Sequence, residues 1–170
     1  MSEQAPETVR EKTITWDDPM ATAAQGLELG GLAFLRAMMD GTVPPPPIAR
    51  LMGFGLGAVA EGEVTFVGVP DESVYNPIGM VHGGYVCTML DSALGCAVHT
   101  TLPPGVGYTS IEIKVSYLRP VTAASGELRV RGRVTKPGRR VAFADGEVLD
   151  AAGKVLATAQ SSFLVLGPQG

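Results

Sequence analysis

The stretch HGGYVCTMLDSALGCAVHT, residues 82–100, decides the fold of this chain. Its apolar residues recur every three or four positions, which predicts one helix from His82 to about Thr100. Because apolar side chains occupy nearly every side of this helix, we expect it to lie inside the protein, covered by other elements. The apolar residues that carry the pattern are Tyr85, Val86, Met89, Leu90, Ala93, Leu94, Ala97 and Val98.

Strand patterns lie on both sides of this helix. Upstream, two short apolar runs are separated by Glu61-Gly62, which predicts a hairpin of strands 56–60 and 63–69. Downstream, apolar and polar residues alternate in four longer segments, with turns that predict antiparallel hairpins. Gly146 interrupts the alternation of its own segment and predicts a β-bulge there. The four downstream strands are predicted at 109–118, 126–135, 139–149 and 154–166.

These elements predict an α+β protein with one central helix. A helix that is apolar all round needs a cover, and a curved antiparallel sheet of about six strands can supply it. A sheet wrapped around one helix is the hotdog fold, which we assign to a domain spanning 54–167. The open edge strands of such a sheet invite pairing with a second copy, so a homodimer, or a dimer of dimers, is expected.

Residues 1–53 form an N-terminal helical extension that we expect to pack on this core. Asp17-Asp18-Pro19 is typical of a helix start, and helical spacing continues to residue 39 despite glycines within it. Residues 1–15 are expected to be frayed. A second short helix is predicted at 48–52, after a run of prolines.

Composition excludes several classes of protein. No uninterrupted apolar run approaches the roughly 18 residues of a membrane span. The net charge of −4 argues against nucleic-acid binding. Without a secretory signal at its start the chain is expected to be cytoplasmic. Cys87 and Cys96 are about 13 Å apart along the predicted helix, which is too far for a disulfide.

Asp91 is the residue of this helix that most requires an explanation. An unpaired carboxylate among buried apolar side chains is costly and usually finds partners or loses its charge. A structural role, capping a loop or pairing with an arginine, and a catalytic role both remain open from the pattern alone.

The glycine turn His82-Gly83-Gly84 at the helix start is the second candidate feature. Glycines let another group approach the backbone closely, and the free amides of a helix N-terminus attract negative charge. Such amides can stabilise an oxyanion that develops on a carbonyl. A simple turn into a helix, with His82 as its cap, explains the same residues.

The spacing between these features constrains how they can act together. Gly83 and Asp91 are separated by about 12 Å along one helix. Two catalytic groups must each come within about 3 Å of the reacting atoms. If both act, they therefore come from two subunits whose central helices are adjacent and antiparallel.

Three segments together resemble a known family. The stretch from Asn76 to Gly84, then Asp91, then the strand end Tyr117-Leu118-Arg119-Pro120 are similar to the phenylacetate-degradation (PaaI-like) branch of the hotdog acyl-CoA thioesterases. The resemblance covers residues 54–166. It implies hydrolysis of acyl-CoA to free acid and coenzyme A, at a site shared across a dimer interface, with no cofactor beyond the coenzyme A of the substrate.

The resemblance also implies a role for each matching residue. Gly83 would donate its amide to the thioester carbonyl, and His82 and Asn76 would position that loop or the attacking water. Asp91 of the other subunit would act as general base or as nucleophile. Ser110 would help to hold the water, although neighbouring Thr109 could take this role after a one-residue slip.

The substrate also needs a phosphate site and an acyl pocket. Candidate cations for coenzyme A are Arg139 and Arg140, with Lys136 and Arg119 as weaker candidates, and a solvated hairpin tip is the alternative explanation of these residues. The acyl pocket is expected between Asp91 and the sheet, in contact with Tyr85, Met89 and the loop around Tyr75. Gly84 and Thr109 are expected among the residues that bind the substrate or its coenzyme A. A metal site is not expected, because His82 and His99 are the chain's two histidines and neither has a cluster of ligands around it. His99 is expected to interact with the C-terminal dipole of the helix.

Two alternatives remain on the same scaffold. A hydratase or dehydratase acting on enoyl or hydroxyacyl thioesters would need a histidine and an acid at the substrate's α and β carbons. A non-catalytic module that senses acyl-CoA would not need the carboxylate of Asp91.

Overall fold

The computed structural model describes residues 9–167 and confirms the predicted architecture of one helix inside a six-stranded sheet. Single turns of 3-10 helix lie at Glu72–Val74 and Ala123–Ser125. The helices are α1 (Pro19–Leu29), α2 (Gly31–Met39), α3 (Pro47–Met52) and α4 (Gly83–His99). The strands are β1 (Phe54–Ala60), β2 (Glu63–Gly68), β3 (Gly107–Tyr117), β4 (Leu128–Lys136), β5 (Val141–Leu149) and β6 (Val155–Leu166).

The sheet is antiparallel throughout, in the order β1-β2-β4-β5-β6-β3. Its concave face holds α4, whose side chains Met89, Leu90 and Leu94 are fully buried. β3 pairs with β6 along its whole length and is an edge strand among the described residues. Within residues 9–167, every helix is too short or too polar to span a membrane.

Two glycines set how closely α4 approaches the sheet. Gly132 of β4 and Gly146 of β5 are cross-strand partners in a regular part of the ladder. A Cβ at Gly132 would lie 2.4 Å from the carbonyl oxygen of Ala93, and one at Gly146 would lie 2.8 Å from the carbonyl oxygen of Arg131 on β4 and 3.1 Å from the side chain of Leu94. The predicted bulge at Gly146 is therefore wrong: this glycine makes room for the helix and does not disturb the strand.

The predicted helix from residue 17 to 39 is also wrong in one respect, because it is two helices. Asp18 caps α1 as expected, accepting a hydrogen bond from the Met20 amide at 2.8 Å, and Pro19 follows at the first helical position. Gly30 ends the helix with a φ of +75°. Gly31 then lies so close to the end of α4 that a Cβ would fall 1.8 Å from the carbonyl oxygen of His99. The break lets α2 pack directly on the central helix.

The segment ahead of α1 is tied to the body of the protein. Lys12 forms an ion pair with Asp71 at 3.1 Å and donates to the hydroxyl of Ser73 at 3.1 Å. The predicted fraying of residues 1–15 therefore does not hold for this part of the segment, and residues 1–8 lie outside the described region.

Candidate active site

Asp91 lies on the side of α4 that faces away from the centre of the sheet. Its side chain is partly exposed, and its Oδ1 accepts a hydrogen bond from the hydroxyl of Ser110 at 2.8 Å. This contact joins the middle of α4 to the first part of β3. A β-bulge follows at once, because the pairing of β3 with β6 shifts between Ser110 and Glu112. The structure thus brings together two residues that the sequence proposed for one site.

A cavity of about 740 Å³ opens beside this pair. α4 lines it with Asp91, Ser92, Gly95, Cys96 and His99, which recur at helical spacing. The remaining lining residues come from all three N-terminal helices, from β1 and β2, and from the start of β3. The cavity therefore lies between the N-terminal extension and the central helix.

The floor of this cavity, formed by Cys96, His99 and Tyr108, is uncharged at neutral pH. Burial raises the pKa of the Cys96 thiol to about 12, and it raises the pKa of Tyr108 well above its usual value. Burial lowers the pKa of His99, whose ring lies between those of Phe34 and Tyr108 at centroid distances of 5.7 and 5.2 Å. This environment favours neutral imidazole, which weakens the expected interaction of His99 with the helix dipole.

The glycine turn at the start of α4 is rigidly built. His82 caps the helix, and its Nδ1 accepts a hydrogen bond from the Gly84 amide at 2.8 Å. The carbonyl oxygen of Gly83 accepts a hydrogen bond from the Tyr117 hydroxyl at 2.9 Å, and the Tyr117 ring packs over Gly83. The amide of Gly83 belongs to the first helical turn, where N–H groups have no partner within the helix.

Asn76 holds the loop that leads into this turn. Its side-chain Oδ1 accepts hydrogen bonds from the amides of Ile78 and Met80, at 3.1 and 3.0 Å. Two backbone hydrogen bonds then fix the following residues, from Val81 to the carbonyl of Val121 and from His82 to the carbonyl of Val74. Asn76 is placed to position this loop, which is one of the two roles that the resemblance implies for it.

Two residues expected at the acyl pocket lie elsewhere. Tyr85 is 1% exposed and Met89 is fully buried, and both pack in the core on the sheet side of α4. The Tyr85 hydroxyl has no hydrogen-bond partner among the described residues, and burial raises its pKa to about 12. Residues Tyr85 and Met89, together with Gly84 and Tyr75, are absent from the lining of the 740 Å³ cavity.

The candidate cations lie at the tip of the β4–β5 hairpin. Arg139 and Arg140 are exposed, and the Nζ of Lys136 lies 5.9 Å from the centroid of the Phe143 ring. Strand register puts this tip at the same end of the sheet as Ser110, because Val141 and Thr109 both pair with Leu164 of β6. Arg119 lies at the opposite end, where it donates to the carbonyl of Val155.

A second groove of about 460 Å³ lies among charged residues on the outer face of the sheet. There Arg131 lies 3.5 Å from Glu147 and 3.8 Å from Glu63, with all three side chains partly exposed. Such solvated ion pairs are typical of a sheet face in water. The cavity beside Asp91 is therefore the better candidate for chemistry.

Within one protomer the two halves of the predicted site remain apart. Asp91 and Ser110 lie at the start of β3, whereas Gly83 and Tyr117 lie at its other end. Sequence reasoning missed Cys96, His99 and Tyr108 as residues of the cavity. The spacing of Asp91, Gly95 and His99, four residues apart on one helical face, was the available signal.

Comparison with known proteins agrees with this architecture. The model of the thioesterase superfamily matches residues 78–157. A Halobacterium salinarum protein named "Putative esterase" is 37% identical over 95 residues, which are 51% of this chain and 61% of that protein. The matched region spans between 50% and 61% of the length of the curated relatives.

Two solved structures extend the comparison to most of the chain. A phenylacetic acid degradation-related protein from Ralstonia eutropha is 32% identical, with a TM-score of 0.70 over 76% of this chain and 98% of that one. A variant of the phenylacetic acid degradation protein PaaI from Thermus thermophilus is 25% identical, with a TM-score of 0.63 over 69% and 97% of the two chains. The chain belongs to the PaaI-like hotdog proteins of the thioesterase superfamily.

Proposed function

We propose that this protein hydrolyses acyl-CoA thioesters at a site formed by two copies of the chain. The observation that carries the proposal is the position of two hydrogen bonds on β3. Ser110 binds Asp91 near one end of the strand, and Tyr117 binds Gly83 at the other end.

Antiparallel pairing of two β3 edges would join the separated halves of the site. β3 runs antiparallel to the first turns of α4, since its start lies at Asp91 and its end at Gly83. In an isologous pair related by a twofold axis, the end of one β3 lies beside the start of the other. The Asp91 carboxylate of one copy would then face the Gly83 amide of the second copy. Exposed Ile111 and Tyr117 on this edge support its burial in a dimer.

The chemistry follows from these two groups. The Gly83 amide donates to the thioester oxygen and stabilises the negative charge that develops on it. Asp91 removes a proton from water as the water oxygen bonds to the carbonyl carbon. The carbon–sulfur bond then breaks, the sulfur leaves as coenzyme A thiolate, and the acid and a proton are released. The Ser110 hydroxyl fixes one carboxylate oxygen, leaving the other for the water.

Direct attack by Asp91 is the second route to the same products. The carboxylate would form an anhydride with the acyl group as thiolate leaves, and water would then cleave the anhydride. Single turnover in ¹⁸O-labelled water identifies the anhydride route when water attacks the Asp91 carbonyl of the anhydride. If attack on the anhydride falls at the Asp91 carbonyl, label enters the carboxylate of Asp91, whereas general-base catalysis leaves Asp91 unlabelled and puts the label in the product acid.

Coenzyme A phosphates would bind at the hairpin tip that carries Arg139 and Arg140. The tip is exposed, cationic and at the Ser110 end of the sheet. Arg139→Ala together with Arg140→Ala is expected to raise KM for acyl-CoA with little change in kcat, because phosphate contacts are made equally in the ground and transition states.

Complementation between inactive subunits tests the shared site. Co-expressed Asp91→Asn and Gly83→Pro chains should form heterodimers in which one of the two sites has both native residues, restoring about a quarter of wild-type activity in a random mixture. Activity that stays at the level of the separate variants would contradict a site in trans.

A thiol-release screen over acyl-CoA substrates tests the reaction itself. Tight binding of acyl-CoA by calorimetry without thiol release would favour a sensing module. Addition of water to crotonyl-CoA without thiol release would favour a hydratase.

A further inference from the structure

The N-terminal helices build much of the cavity beside Asp91. α1, α2 and the segment through α3 supply about half of its lining, including Ala23, Leu27, Met38 and Arg50. Without them the cavity would lose its outer wall, and the exposed flank of α4 and the start of β3 would remain. The pocket is therefore a product of the extension packed on the hotdog domain.

The size of the cavity exceeds the needs of a short acyl group. At roughly 30 Å³ per atom, the volume of a water molecule in the liquid, 740 Å³ has room for about 25 non-hydrogen atoms. Acetyl or butyryl would fill a small part of it. A fatty acyl chain of about ten to sixteen carbons would fill roughly two fifths to two thirds of it, and the cavity volume lies within the usual size range of ligand pockets.

The chemistry of the walls matches a flexible apolar chain. Leu27 and Met38 line the extension side and Phe54 lines the strand side. Methionine side chains adapt to apolar chains of different shape. The floor groups Cys96 and His99 are neutral at pH 7 for the reasons given above. The catalytic carboxylate lies among the lining residues of an otherwise largely apolar pocket.

We infer that residues 19–50 form the outer wall of the acyl pocket and select fatty acyl chains of about ten to sixteen carbons over short acyl groups. The inference rests on the proposed thioesterase function and assigns its substrate class. It gives the extension a role in specificity.

Neighbouring alanines on α1 provide a matched test. Ala23 lines the cavity, whereas Ala24, which is also exposed, does not. Ala23→Trp places an indole in the pocket and should lower kcat/KM for dodecanoyl-CoA at least about tenfold more than for butyryl-CoA. Ala24→Trp should leave the ratio of the two rates within twofold of wild type, about the scatter expected of a surface substitution.

Circular dichroism melts check that each variant is folded. If Ala23→Trp does not fold, two other variants provide the same comparison. Ala23→Leu adds a smaller side chain at the same position, and Leu27→Trp places an indole at a neighbouring position of the cavity wall. The inference would be overturned if Ala23→Trp lowered kcat/KM equally for dodecanoyl-CoA and butyryl-CoA. It would also be overturned if the wild-type protein had the higher kcat/KM for butyryl-CoA.

A binding measurement separates this inference from the proposed function. Asp91→Asn should bind dodecanoyl-CoA in calorimetry, and adding Ala23→Trp should weaken that affinity at least about tenfold. If wild type releases no thiol but the binding difference is observed, the reaction is wrong and the pocket assignment stands. If thiol is released but Ala23→Trp leaves binding unchanged, the pocket assignment is wrong and the reaction stands.

Discussion

The start and the middle of α4 offer different kinds of chemistry. At the start, Gly83 contributes a backbone amide in a turn that His82 caps and Tyr117 covers. In the middle, Asp91 contributes a side chain that Ser110 holds at the mouth of an apolar cavity. A helix can offer free amides only in its first turn, whereas a carboxylate can be placed on any turn. One helix therefore cannot supply both groups to one atom, and two antiparallel copies can.

The largest expected effect comes from the middle of the helix. Asp91→Asn keeps the shape of the side chain and its contact with Ser110 but removes the base. Turnover of an acyl-CoA substrate should fall by about 10² to 10⁴, the scale of acid–base assistance. Steady-state thiol release measures this effect, and size-exclusion chromatography checks that the oligomer is unchanged. A rate equal to wild type would remove Asp91 from the mechanism.

The start of the helix can be tested with two substitutions at one position. Gly83→Pro removes the amide, and proline suits the first helical position after His82, whose ψ of 136° is extended. Gly83→Ala adds the same Cβ beside Tyr117 but keeps the amide. The proline variant should be about 10² to 10³ slower in kcat than the alanine variant, as for loss of an oxyanion donor. Equal rates for the two would show that the amide is not used.

A smaller effect is expected at the contact that orients Asp91. Ser110→Ala removes the hydrogen bond to Oδ1 and should lower kcat by roughly ten- to hundredfold, because a hydrogen bond to a charged group contributes about 1.5–3 kcal/mol. Thr109→Ala is the matched control on the same strand, and its rate should stay near wild type. If Thr109→Ala lowers kcat more than Ser110→Ala does, Thr109 holds the water and Ser110 is structural.

The smallest effect concerns the pH dependence of stability. Burial lowers the pKa of His99 in the folded protein below its unfolded value near 6.5. Between these two pKa values the unfolded chain binds more protons, so the free energy of unfolding should fall as the pH drops below about 6.5. Urea denaturation at pH 7 and pH 5 should show a larger loss for wild type than for His99→Gln. An equal loss of unfolding free energy in the wild type and in His99→Gln would assign the pH dependence to groups other than His99.

Sequence patterns predicted the secondary structure well where a periodic pattern was sufficient. Strand alternation and the spacing within residues 82–100 depend on local burial, which a single sequence records. The two errors both involve glycines whose reason lies in a distant element. Gly31 is required by the carbonyl of His99, and Gly146 by the carbonyl of Arg131 together with the side chain of Leu94. Such close approaches become visible only in three dimensions.

The candidate site likewise contains features that a local pattern reveals and features that depend on distant elements. Asp91 and the glycine turn stood out because a carboxylate and paired glycines are unusual in an apolar helix. The cavity could not be anticipated, because its walls come from helices about 40 to 70 residues earlier in the chain. For the same reason the sequence did not show that the Tyr85 side chain packs into the core and does not line the cavity beside Asp91.

The glycine pair beneath α4 has a consequence for engineering this protein. Gly132 and Gly146 determine the packing distance between α4 and the strands. They lie beneath Ala93 and Leu94, which follow Asp91 by two and three residues. A methyl group on Gly132 would collide with the backbone of Ala93, lift the helix and carry the carboxylate away from Ser110, whereas a methyl group on Gly146 would meet the carbonyl oxygen of Arg131 and the side chain of Leu94. Alanine at these positions would be scored as a catalytic defect in a screen, although neither residue contacts the proposed reacting atoms.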